Sequence, residues 1–214
     1  MTPRDFVYSK IVQFEDIDSA GLFNFKSALR FIEEAERAFY RSVGHSGYSR
    51  TDGWIDWTTH VAAARIFGTR MPPPEFIYSK IVEFADTDSA ELLHFASAFR
   101  YFEEAEHAFY RSVGHKGYRR TEDWIYGTPR VAAEAEYLEP VRYGDEVEVR
   151  LGVNHIGNTS IGYDAAIVAA DLGEPIVAVR GTLRVVCARR RSGSALWEPM
   201  PIPDFLRSKL AKIF

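Results

Sequence analysis

Two aspartates stand two positions apart in DTDSAELLHF (86–95), and the chain after them carries apolar residues at helical spacing. A carboxylate in that place has two uses. Backbone N–H groups at a helix start can hydrogen-bond an oxyanion as it develops, and the helix dipole favours its charge. A carboxylate within reach of the same point can take a proton from water or attack directly. Asp88 is the candidate for that work, against the simpler reading of a turn residue or an anion at a helix start. Asp86 reads first as structural, because two aspartates alone make a poor metal cage. His94 either orients a substrate or packs at the rim of the site.

Other chemistries leave no trace. The chain has no G-x-S-x-G elbow, Walker loop, G-x-G-x-x-G or H-E-x-x-H, and its six histidines show no pair at metal-binding spacing. With one cysteine, Cys187, an intramolecular disulfide is impossible; that residue reads as a small core hydrophobe. A formal net charge of -4 argues against binding a phosphate backbone. The opening MTPRDFVYSK lacks an apolar leader, and no apolar run is long enough to cross a bilayer, so a soluble, cytoplasmic protein is expected, with no membrane and no nucleic acid among its partners.

The elements that must hold Asp88 follow from changes of period. Residues 75–84 alternate and are rich in β-branched and aromatic types, as a strand should be. Ala98, Phe102, Ala105, Phe109 and Val113 share one helical face, with Ser97 as the expected N-cap and Gly114 as a left-handed terminator. Four strand-like stretches follow, at about 129–138, 145–156, 159–170 and 175–188, punctuated by Gly144-Asp145, Gly157-Asn158 and Leu172-Gly173. One strand, one long helix and four more strands predict an α+β domain, an antiparallel sheet wrapped around a central helix in the hotdog arrangement. The acidic run Glu103, Glu104 and Glu106 then reads as charge on the helix face or at a dimer contact.

The chain also repeats itself. FVYSKIVQFEDIDSAGLFNF (6–25) recurs seventy positions later as FIYSKIVEFADTDSAELLHF (76–95), and RFIEEAERAFYRSVGHSGY (30–48) as RYFEEAEHAFYRSVGHKGY (100–118). About two-thirds of the aligned positions are identical. The match fades after Trp54 and Trp124, and the first copy ends before a triple proline at 72–74. The expected organisation is a half-repeat over 1–70, a Pro-rich linker over 71–75, a complete domain over 76–190 and a C-terminal tail over 191–214. The half-repeat offers one strand and one helix with an apolar stripe, but it lacks the following strands that would wrap that helix and should not fold alone.

Residues 74–190 resemble the 4-hydroxybenzoyl-CoA thioesterase family of hotdog acyl-CoA hydrolases. The resemblance rests on VEFADTDSA…HFASAFRYFEEAEHAFYRSVG, then PRVAAEAEYLEPVRYGDEVEVRLGVNHIG, then VAVRGTLRVVC, in that order. It implies that Asp88 is the catalytic carboxylate and that the amide polarising the thioester carbonyl lies at the helix start, near Phe95. It implies hydrolysis of an acyl-CoA substrate without metal or redox cofactor, in a homodimer or homotetramer. Arg189, Arg190 and Arg191 then become candidates for binding the phosphates of coenzyme A, or else a solvated strand end. One position departs from the family pattern. Glu91 stands where a glycine is usual, whereas the first copy keeps Gly21 and has Asn24 in place of His94. A glycine there would supply an unusual backbone angle or a close substrate approach. A non-catalytic acyl-binding or assembly module is therefore the rival reading. A hotdog dehydratase, which pairs a histidine with a carboxylate in a different motif, is disfavoured.

Overall fold

The computed structural model describes residues 9–10, 25–42, 49–51, 54–56, 76–171 and 174–211. The chain divides into two compact units, Met1–Ala62 and Ala63–Phe214. The Pro-rich linker, Asp18, Gly21, Asn24 and the Leu172-Gly173 turn lie outside the described residues.

In the second unit, strand β3 (Phe76–Ile81) leads through a short 3-10 turn (Phe84–Asp86) to helix α2 (Phe95–Ser112). The long strands β6 (Arg130–Tyr137), β7 (Glu146–Ile156), β8 (Ser160–Asp171) and β9 (Glu174–Val186) follow. They form a five-stranded antiparallel sheet in the order β3-β7-β8-β9-β6, with β3 and β6 at its edges. This is the hotdog arrangement that the periodicity predicts, and the four long strands fall where alternation places them. The core lies between helix and sheet. Ala98, Tyr101, Phe102, Ala105, Phe109 and Tyr110 of α2 pack against Val149, Leu151, Ile161, Tyr163, Ile167 and Val179, all buried. Gly181 of β9 lets helix and strand meet there: an added Cβ would sit 2.4 Å from the Glu134 carbonyl oxygen and 2.9 Å from the Phe102 ring.

Two expectations change here. The N-cap of α2 is His94, not Ser97, which lies buried inside the first turn. The acidic run is not simply a solvated face either. Glu106 is 2% exposed and ion-paired with Arg130 of β6, Glu103 reaches the same arginine at 3.6 Å, and Glu104 is paired with Lys80 and Arg100 at 2.8 and 2.7 Å. A buried carboxylate needs such a partner, and no local pattern reveals one that lies 24 residues away.

A second, smaller sheet was not expected. Strands β4 (Tyr118–Arg120), β5 (Trp124–Gly127), β10 (Ala188–Arg191) and β11 (Glu198–Pro199) pair in the order β11-β10-β5-β4, and helix α3 (Asp204–Leu210) closes the unit. Their brevity hides them from periodicity.

The first unit contains helix α1 (Phe25–Ser42) and the hairpin β1 (Ser49–Thr51) and β2 (Trp54–Asp56). Helix α1 has the bounds of α2 displaced by seventy positions. Its local contacts recur as well. Lys10 bonds Glu34 at 2.5 Å as Lys80 bonds Glu104, and Lys10 lies 4.6 Å from the Phe31 ring as Lys80 lies 4.8 Å from Tyr101. The Ser49↔Asp56 and Arg50↔Ile55 pairs match Arg119↔Tyr126 and Arg120↔Ile125 in register.

Candidate active site

The connection from β3 to α2 is folded tightly by its own aspartates. Asp86 is 1% exposed and wholly engaged. Its carboxylate takes hydrogen bonds from the Tyr101 hydroxyl at 2.5 Å, from the Glu83 amide at 3.0 Å and from the Arg100 guanidinium, while its carbonyl accepts from the His94 amide at 2.8 Å. Asp86 thus ties the strand end to the helix start, the structural role its position suggests.

Asp88 is half-buried and differently placed. Its Oδ1 accepts from the amides of Ala90 at 2.8 Å and Leu92 at 3.3 Å, and its backbone exchanges bonds with Leu92 and Glu91 at 2.9 and 3.0 Å. No described donor reaches Oδ2. The turn it closes needs a left-handed residue, and Glu91 takes that conformation with φ 63. It is the one non-glycine residue with positive φ among the described residues, and its side chain is exposed. The backbone therefore demands at 91 what glycine supplies without strain.

The loop closes through an antiparallel bridge between Thr87 and Leu93 and a second between Leu92 and Arg142. The helix begins next. His94 is extended (φ -62, ψ 140) and its Nδ1 accepts from the Ala96 amide at 3.2 Å, while its carbonyl accepts from Ser97 at 2.8 Å. With Nδ1 accepting, a neutral His94 carries its proton on Nε2. Its ring lies 4.7 Å from that of Phe95. The Phe95 amide, by contrast, has no acceptor among the described residues. It is the first of the orphan donors that every helix start presents. The Phe95 carbonyl is held by the Tyr137 hydroxyl of β6 at 2.7 Å, a long-range brace that sequence spacing could not reveal. Burial pushes the Tyr137 hydroxyl pKa well up, so it stays a donor.

Asp88, His94 and Phe95 thus share one short connection: a carboxylate with a free oxygen, a capping imidazole and an unpaired helix-start amide. The arginines are elsewhere. The loop is fastened to the start of β7, through Leu93 to Val141 at 2.8 Å and Val82 to Asp145 at 2.9 Å, whereas β10 follows the far end, where Cys187 bonds Thr159 at 2.7 Å. The eleven residues of β7 separate them by roughly 30 Å. Within β10, Arg189 stacks over Trp124 at 4.5 Å and pairs loosely with Glu198 at 3.7 Å, and Arg190 bonds the Ser194 carbonyl at 2.5 Å. Cys187 is buried, and burial pushes its thiol pKa up to about 11.

A family model for the thioesterase-like superfamily matches residues 82–210, well over half the chain. The chain belongs to the thioesterase-like superfamily. A relative from Aquifex aeolicus (strain VF5), named "Putative esterase", is 32% identical over 97 residues, which cover 45% of this chain and 75% of that protein. Solved thioesterase-like structures share the fold at lower identity. A 1,4-dihydroxy-2-naphthoyl-CoA thioesterase from Synechocystis is 20% identical with a TM-score of 0.54, over 64% of this chain and 96% of its own. An Asp-to-Asn variant of a 4-hydroxybenzoyl-CoA thioesterase, solved with 4-hydroxybenzoyl-CoA, is 15% identical with a TM-score of 0.51, over 61% and 95%. Among the described residues no helix is long and apolar enough to cross a membrane, and no cluster of side chains could hold a metal ion.

Proposed function

We propose that this chain hydrolyses acyl-CoA thioesters to the free acid and coenzyme A, in the manner of the 4-hydroxybenzoyl-CoA thioesterases it resembles. The observation that carries the reading is the pairing, in one braced loop, of a carboxylate oxygen and a helix-start amide that have no hydrogen-bond partner among the described residues. Asp88 takes a proton from water as the water oxygen bonds the carbonyl carbon, or attacks that carbon itself to give an acyl-aspartyl anhydride that water then cleaves to the free acid; in either course the carbonyl oxygen gathers negative charge, the Phe95 amide holds it, and the C–S bond breaks as the thiolate of coenzyme A leaves. His94, whose Nδ1 caps the helix, fixes the direction of that amide and lines the approach. The open edges of β3 and β6 favour a homodimer or homotetramer. Arg189 and Arg190, remote from Asp88 in their own protomer, meet the same coenzyme A only in such an assembly. The matching bounds, contacts and hairpin register of the first unit support its origin as a duplicated half-domain.

Asp88→Asn tests the reading. It keeps the acceptor for the Ala90 amide and removes the base, so kcat toward acyl-CoA falls at least about a hundredfold while thermal stability changes little. Near-normal turnover by the variant would sink the assignment. The rival, a non-catalytic acyl-binding module, is favoured by Glu91, whose left-handed backbone and extra charge sit three residues from Asp88. Failure of the unmodified protein to release thiol from any acyl-CoA, with acyl-CoA binding intact, would establish it.

A further inference from the structure

Helix α1 exposes the face that α2, its repeat seventy positions on, buries. Ala28, Ile32, Ala35 and Phe39 follow at steps of four, three and four residues, so they form one stripe along the helix. Their counterparts Ala98, Phe102, Ala105 and Phe109 are 0 to 2% exposed between α2 and the large sheet. On α1, Ile32 is 59% exposed, and Phe39, its ring 5.9 Å from that of Tyr40, is 43% exposed. The charge lies on the opposite side and is balanced there. Glu33 pairs with Arg37, and Glu34 with Arg30 at 3.9 Å and Lys10 at 2.5 Å. Glu36 borders the stripe and accepts a hydrogen bond from Tyr40 of its own helix at 3.2 Å. An amphipathic helix with an open apolar stripe and a balanced charged back is suited to meet another surface.

The order of sizes along the stripe selects the surface it fits. It reads small, large, small, large. Turned end for end, a second α1 sets Phe39 over Ala28 of the other copy and Ile32 over Ala35, and the twofold axis repeats both contacts. One register therefore serves all four layers, each holding one large and one small side chain. In a parallel pair like would face like. Two layers of paired alanines would leave voids, and the paired phenylalanines would crowd. An alanine in every layer lets the helix axes approach to about 8 Å, and opposed dipoles favour the antiparallel course. Helices of this length, about 27 Å, cover roughly 1,000 Å² as a pair, the low end for a specific contact, so the pair forms and parts with concentration. The matching stripe of α2 is already covered by its own sheet and does not compete.

We infer that the Ala28–Phe39 stripe of α1 is an interaction surface for a second copy of this chain, joined as an antiparallel α1–α1 pair. The contact is separate from the edges of the large sheet and does not rest on hydrolysis at Asp88. Cysteine trapping in the full chain tests it, with Cys187 buried and out of the reaction. Chains carrying Ala28→Cys are mixed with chains carrying Phe39→Cys and oxidised at micromolar concentration. The mixture forms the disulfide dimer at least about tenfold faster than either chain alone, because like cysteines in the antiparallel pair stand about 16 Å apart along the axis, beyond disulfide reach. A second mixture, Ile32→Cys with Ala35→Cys, keeps Phe39 in place and links as well. Adding Ile32→Glu to both chains of the first mixture puts charge into the middle layers and slows the link about tenfold, whereas Arg41→Ala, off the stripe, leaves it within about twofold. Ile32 is exposed in the single chain, so the glutamate spares the fold, as thermal melts check. Absence of a mixed link from both mixtures overturns the inference. So does equally fast linking by Ala28→Cys chains alone, or a link that survives Ile32→Glu unchanged.

Discussion

Glu91→Gly should stabilise this protein, which is unusual for a change that adds backbone freedom. Glu91 holds φ 63 in a turn closed by hydrogen bonds from the Glu91, Ala90 and Leu92 amides to Asp88. An L-residue in the left-handed region costs about 1–2 kcal/mol because Cβ crowds the following carbonyl oxygen. Glycine removes that cost but brings its own entropy penalty of roughly 0.5–1 kcal/mol. The exposed side chain contributes no described hydrogen bond, so the net gain is about 0.5–1 kcal/mol. For a unit of this size that raises Tm by roughly 1–4 °C. Glu91→Ala isolates the cause. It removes the same charge and keeps the Cβ, so it should melt no higher than the unmodified chain. Scanning calorimetry of the three proteins measures the stability, and release of free thiol from acyl-CoA measures activity. With the turn relaxed and a carboxylate removed near the proposed acyl-CoA substrate, kcat/KM should rise in the glycine variant. If alanine stabilised as much as glycine, charge rather than backbone strain would be the cause and the reasoning would fail. If glycine lowered activity, Glu91 would have a role of its own in the site.

Three further outcomes follow from the interior. Glu106→Ala leaves Arg130 buried without its closest carboxylate and should cost about 3–5 kcal/mol in urea or thermal unfolding, far more than Glu36→Ala at an exposed position of α1. Cys187, with its thiol pKa pushed up to about 11 by burial, should resist iodoacetamide at pH 8 in the folded protein and react quickly in denaturant. His115 packs edge-on between Tyr110 at 5.2 Å and Phe205 at 5.6 Å, and burial lowers its pKa below 6.5. The unfolded chain then binds the proton more readily, so this contribution to stability is present above pH 6.5 and is lost as pH falls through the lower, folded pKa; His115→Gln should flatten that slope in pH-dependent melts.

What the sequence made legible follows the range over which each signal acts. The strands over 130–137, 146–156, 160–171 and 174–186 run long enough for alternation to show, and so does the helix stripe Ala98, Phe102, Ala105 and Phe109. Glu91 was also legible, because the first copy supplies its own comparison in Gly21 and the backbone at 91 has the angle that glycine favours. The small sheet was not, since YRR and ARRR are too short and too polar to show a period. His94 as an N-cap was missed because imidazole is an uncommon cap, and Ser97 offers the familiar side chain three residues too late. Glu106, Arg130, Tyr110 and Tyr163 were illegible for a deeper reason. Each is polar and buried only because a partner arrives from another element, as in the 2.9 Å contact between the two tyrosine hydroxyls. No local pattern encodes that.

The two aspartates of the loop show how one motif supports two fates. Asp86 and Asp88 are two residues apart and chemically identical, and environment alone divides them. Asp86 accepts from a tyrosine, an arginine and a backbone amide, so its lone pairs are committed and its burial is compensated. A carboxylate so satisfied is a poor base, because taking a proton would break bonds already made. Asp88 gives one oxygen to two backbone amides, which fix its orientation, and the other has no partner among the described residues. Restraint on one oxygen with freedom on the other suits Asp88 to the base role proposed for it. Asp86 in turn receives the His94 amide at its carbonyl, so the same residue that is unsuited to chemistry sets where the helix begins, and with it the direction of the Phe95 amide. Replacing Asp86 should therefore act through the placement of α2, disturbing fold and turnover together, whereas replacing Asp88 should separate them.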